Sequence, residues 1–207
     1  MTIPLKYQQP IESTIASYNF TDIASGEGFV RFYAARLSGS DILTSNIIYS
    51  EDIVTGTNFV DGGSDPALVK TINFDTSTFV LPRRIGGTAA VNIPAELAST
   101  SATGSVVADI KRVDAAGAAT SLISGSSAFA TGSSIEKMFA IPLIIPSTLI
   151  KIGEKIRLTI EQWRNDSGGS PAASTHYLGH DPKNRADTTI TTIDTNLIID
   201  IPFKVDL

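Results

Sequence analysis

The chain of 207 residues has no cysteine, two histidines, one tryptophan and a charged fraction of only 18%. Without cysteine, thiol catalysis and disulfide stapling are excluded, and folding in a reducing compartment is mildly favoured. The net charge of −5 and the sequence pI of about 5.0 argue against the basic footprint that a nonspecific nucleic-acid binder needs. No window approaches the run of apolar residues that spans a bilayer. The most apolar stretch, Met138 to Ile145, has strand length and is interrupted by Pro142. Met1 to Pro10 lacks a basic segment followed by an apolar run, so no secretory signal is expected there. There is no phosphate-binding glycine-rich loop and no Gly-x-Ser-x-Gly nucleophile elbow.

What is present is alternation. In Thr103 to Ser124, Val106, Ala108 and Ile110 fall on one face while Asp109 and Lys111 point the other way. Asp114 to Gly117 supplies a turn, with Gly117 free to take a positive φ, and the chain returns from Ala119: a β-hairpin. Further strands are expected at Phe29 to Leu37, Asn46 to Ser50, Leu68 to Phe74, Thr78 to Leu81, Ala89 to Ile93, Ile135 to Ile145 and Lys155 to Trp163. Thr188 to Ile193 and Asn196 to Val205 close the set, with Pro202 marking the last strand as bulged or at an edge. Arg83 to Gly87 reads as a turn, and Pro94 to Ala98 as one turn of helix.

About ten short strands point to an all-β fold, an antiparallel two-sheet sandwich of jelly-roll type. Residues 1–19, with Pro4 and Pro10, are expected to form an extended N-terminal arm, or a terminal strand on the chain's own sheet. Residues 20–207 are expected to form one β-sandwich domain. The longest strand-free stretch is expected at Arg164 to Asp187, and long loops on such scaffolds often bind ligands.

Chemistry is sparse. His176 and His180, with Asp181, are the one candidate metal cluster, but Gly179 and Pro182 break the helix that would bring the imidazoles together. The plainer reading makes Asp181-Pro182 the start of a turn. Asn58, Asp61, Ser64 and Asp65 around Gly62-Gly63 offer oxygen ligands for calcium, or simply another turn. No metal or cofactor is expected from either. Asp22 with Glu27, or Glu51 with Asp52, could be paired as glycosidase carboxylates, but nothing sets their separation. Arg83-Arg84 and Lys111-Arg112 read as solvated faces or intersubunit contacts. Trp163 is a core or rim aromatic, or a sugar-stacking platform beside the long loop.

Three stretches resemble a family: Tyr18 to Tyr33, Lys151 to Ile160 and Tyr177 to Arg185, the last followed by a final strand. In that order they resemble β-sandwich virion structural proteins of tailed phages and related viruses. The resemblance implies a non-enzymatic capsid decoration, or cement, protein located in the virion. Its expected partners are the major capsid protein or other virion subunits, in a homo-oligomer, with a trimer favoured. No direct nucleic-acid or membrane partner is expected. The alternative is a carbohydrate- or receptor-binding β-sandwich module of a tail or surface protein, with Trp163, Tyr177 and His180 as candidate ligand-binding residues. A hydrolase or lyase on a jelly-roll scaffold is a further reading, for which the sequence offers no motif.

Overall fold

The computed structural model describes residues 27–37, 40–45, 56–61, 67–98, 103–128, 137–165, 174–184 and 195–204. The expected arm at 1–19 and the expected strands at 46–50 and 188–193 lie outside the described residues. Within them the structure is all-β, with eleven strands: β1 Glu27–Leu37, β2 Ser40–Thr44, β3 Gly56–Asp61, β4 Ala67–Asp75, β5 Arg83–Ala98, β6 Thr103–Val113, β7 Ala119–Ala128, β8 Lys137–Ile150, β9 Lys155–Asn165, β10 Ser174–Gly179 and β11 Ile198–Lys204.

The strands form one hydrogen-bonded sheet in the order β3-β10-β5-β11-β1-β2-β4-β9-β6-β7, with β8 added to β5. The pairings are antiparallel except for β2 with β4, which meet in parallel through Ile42 and Asp75. The two separate sheets expected from the sequence are therefore one curled, mixed sheet. Curling brings its two halves face to face. A Cβ added to Gly125 of β7 would lie 2.7 Å from Leu143 Cδ2 of β8, although the two strands share no backbone ladder.

The core between the halves follows from the alternation. Val106, Ala108 and Ile110 of β6 and Ile156, Leu158 and Ile160 of β9 are buried, as are Ile85, Val91 and Ile93 of β5 and Ile141, Leu143 and Ile145 of β8. Apart from Ala108, their side chains are β-branched or isobutyl and cover a pleated surface well. Burying each large aliphatic side chain stabilises the fold by about 1.5–3 kcal/mol relative to exposure. The 114–117 turn forms as the sequence indicates. Asp114 Oδ1 accepts the amides of Ala116 and Ala118, and Gly117 sits at φ 92°.

Several local expectations give way to tertiary pairing. Pro94 to Ala98 is not helical but continues β5, because Ala95 to Ala98 pair with β10. Arg83 to Gly87 is not a turn: it pairs with β8, with a register shift between Ile85 and Gly87. Thr78 to Leu81 is not a strand but a loop, tied to the β8–β9 connection by Phe79 N donating to Glu154 O at 2.9 Å. The stretch 164–187 is not strand-free: β10 lies in it, between β3 and β5. The Pro202 reading holds as a bulge, since the β11–β5 register shifts between Asp200 and Phe203, but β11 is central and not an edge.

Candidate functional site

The least expected chemistry lies inside the molecule. The inward face of β9 runs Ile156, Leu158, Ile160, Gln162, Arg164, so its apolar stripe ends in two buried polar side chains. Across the core, β10 turns His176 and Leu178 inward and His180 follows, with the two imidazoles 0% and 1% exposed. Gln162 links the halves, its Nε2 donating to the Tyr177 carbonyl at 2.9 Å. The His180 ring lies against Phe74, with centroids 6.0 Å apart. Burial lowers the His180 pKa from its ordinary value, and nearby Arg36 acts the same way against a backbone hydrogen bond, Asp41 and Asp181. Burial thus disfavours the protonated form of His180.

The turn after β10 orders the residues beside it. Lys183 N donates to Asp181 Oδ1 at 3.0 Å, and Asn184, at φ 54°, accepts the Thr195 amide on Oδ1 at 2.6 Å. Asp181-Pro182 thus opens a turn, the plainer of its two sequence readings. Among the described residues, no group of three or more His, Cys, Asp or Glu side chains is placed to hold a metal.

The three candidate ligand-binding residues do not converge. Trp163 lies half-buried on the outer side of β9, its Nε1 donating to Glu161 Oε2 at 2.8 Å. Tyr177 lies half-buried on the outer side of β10, which belongs to the other half of the sheet. His180 is in the core. Of the proposed calcium ligands, Asn58 and Asp61 lie in β3, paired with Tyr177 and Ser174, while Ser64 and Asp65 lie outside the described residues. Of the proposed carboxylate pairs, Glu27 begins β1; Asp22, Glu51 and Asp52 lie outside the described residues.

On the outer face of β1, β11 and β5 is a shallow depression of about 500 Å³, lined by Phe29, Arg31, Tyr33, Ser45, Thr88, Ala90 and Asp200. Arg31 forks onto both Asp200 oxygens, each contact 2.8 Å, and this hydrogen bonding raises the guanidinium pKa. The ion pair offsets the two charges at its centre, and polar Ser45 and Thr88 share the lining with Phe29, Tyr33 and Ala90. The sequence signal for it was the alternating Phe29, Arg31 and Tyr33, whose outward direction only the pairing with β11 reveals.

No family model and no curated protein matches the chain. Solved structures do. An alpha-amino acid ester hydrolase superposes with a TM-score of 0.64 at 11% identity, over 84% of this chain and 36% of its own. An aminopeptidase from a marine sediment Thaumarchaeota archaeon gives 0.63 at 11% identity, over 84% and 36%. A CocE/NonD family hydrolase from Staphylococcus aureus gives 0.57 at 12% identity, over 86% and 37%. The chain shares its fold with part of three hydrolases. It spans just over a third of their length.

These likenesses overturn the expectation of a non-enzymatic capsid decoration protein, with its binding-module alternative. The structures that superpose well come from enzymes, and infectious bursal disease virus structures reach TM-scores of only 0.30–0.32, which carries no argument. Alternating strands and short polar turns are demanded by any curled β-sheet, whatever it is attached to, so a resemblance resting on them speaks to architecture and not to role.

Proposed function

We propose that this chain is the β-module of a hydrolase, working beside a catalytic unit that cleaves ester or peptide bonds. One observation carries the reading: the chain matches hydrolases over 84–86% of its own length but only 36–37% of theirs. Such a ratio suits a building block used within a larger enzyme. The burial of both histidines supports placing the chemistry elsewhere, since a general base must reach its substrate. In this reading the curled sheet is a jelly-roll-like sandwich, a rigid body that shapes or shields a neighbouring active site.

The test compares the chain alone with the native protein or complex that contains it, on amino-acid esters and aminoacyl anilides. Turnover by the native assembly and none by the isolated chain is the expected result. Turnover by neither, or by the chain alone, would overturn the proposal.

A further inference from the structure

One end of the molecule departs from the rest in both hydropathy and charge. The β4–β5 loop, residues 76–82, and the β8–β9 loop, residues 151–154, lie side by side there. They hold Val80, Leu81 and Ile152 at 78%, 56% and 64% exposure, three of the four most exposed large apolar side chains among the described residues. The other, Ile144, stands on β8. Exposure on this scale at adjoining loops is a marked apolar feature for a molecule whose core is otherwise well covered.

The loops are held in place. Phe79 N donates to Glu154 O at 2.9 Å and Gly153 N to Phe79 O at 2.8 Å. Thr76 N donates to Ile156 O at 2.9 Å, and Thr76 Oγ1 accepts the Ile156 amide at 3.0 Å. The Phe79 ring stacks on Phe203, with centroids 6.2 Å apart, so the loop's aromatic is turned inward while its aliphatic neighbours stay out. Presenting Val80 and Leu81 therefore requires no refolding.

The surrounding charge is positive. Arg83, Arg84 and Lys151 are exposed and Lys155 is half-buried, and none of the four forms an ion pair with a carboxylate among the described residues. Of the nearby acids, Asp75 is offset by Arg157, which forks onto it, while buried Glu154 accepts the Lys151 amide at 2.8 Å and Asp114 accepts two amides of the 114–117 turn. Amide bonds do not cancel a carboxylate, so the four cations stand against two acids and the patch is net positive. Four cations are thus gathered at one end of a chain whose net charge is −5.

We propose that this end seats on anionic membrane surfaces, with Val80, Leu81 and Ile152 entering the interfacial region and the four cations meeting lipid phosphates and carboxylates. The aliphatic side chains exchange water for acyl chain, and each nearby Lys or Arg adds attraction to an anionic leaflet. A protein partner fits less well, since interface centres favour aromatic anchors and are depleted of lysine. The expectation of no membrane partner rested on the lack of a span-length apolar run, a criterion for crossing a bilayer and not for resting on one.

The experiment is sedimentation of the full chain with vesicles of phosphatidylcholine, with and without phosphatidylserine. Binding is expected only with phosphatidylserine and should weaken as salt rises. It should fall about tenfold or more in Val80→Ser/Leu81→Ser/Ile152→Ser and in Arg84→Glu/Lys151→Glu. Thermal melts establish that these surface variants fold. As an independent readout, Leu81→Trp in a Trp163→Phe background should shift its emission to the blue on adding anionic vesicles. No binding at low salt, equal binding by the variants, or unshifted emission from the Leu81→Trp reporter would overturn the proposal. So would a protein that requires these side chains while vesicles do not.

Discussion

Gly117 shows how much one backbone angle can carry. It sits at φ 92°, and a Cβ added there would meet nothing within 4 Å. Gly117→Ala should therefore cost about 1–2 kcal/mol purely through the left-handed backbone, read as a lowered urea midpoint with an unchanged m-value. His180 is the residue with a pH signature. Its folded pKa is lowered from 6.5, chiefly by burial, so the unfolded chain binds the proton more readily. Stability from this group is complete above 6.5 and declines as the pH falls below it. His180→Gln should flatten that decline in urea titrations made on either side of 6.5. An unchanged slope would show that other groups govern it. The turn glycine was legible in the sequence, from its place after Asp114. The lowered pKa of His180 was not, because it comes chiefly from burial by parts of the chain distant in sequence, Phe74 among them.

Among the elements, strands with strict alternation could be read directly: β1, β4, β6, β7 and β9 lie close to where the sequence places them. The misread segments are those whose local preference is weak or opposed. Pro94 to Ala98 carries Ala-Glu-Leu-Ala, good helix formers, yet pairs with β10 because that ladder satisfies its backbone where one helical turn could not. Thr78 to Leu81 has strand-like composition but is drawn away by Phe79, whose amide and carbonyl both bond the β8–β9 loop. Thr76 anchors the same junction. Thr76→Val should strand the buried Ile156 amide and cost about 1–3 kcal/mol in chemical unfolding, despite conserving shape. A cost near zero would show that the amide finds another acceptor.

For the molecule as a whole, the two halves are joined in the sheet by one parallel residue pair, Ile42 with Asp75, yet they share one core. Cooperative unfolding follows from that shared burial. Ile93→Ala in β5 and Leu158→Ala in β9, on facing halves and both 0% exposed, should each cost about 2–5 kcal/mol and shift one common transition. Two separate transitions in either variant would show that the halves fold independently. The hydrolase reading belongs to this scale too, since it rests on how all the strands are arranged and on no particular side chain.

Taken alone, the sequence determined the β-class, the hairpin at 103–124 and the core stripes of β6 and β9, because strand alternation and turn chemistry act between near neighbours. The tertiary structure decided the rest. It merged the strands into one curled sheet, extended β5 through residues that favour a turn or a helix, inserted β10 into an expected loop and sealed both histidines inside. It also set Val80, Leu81 and Ile152 outward beside a group of cations. Each of these depends on partners far apart in sequence, since backbone hydrogen bonding and apolar burial are satisfied by whatever the folded chain brings alongside.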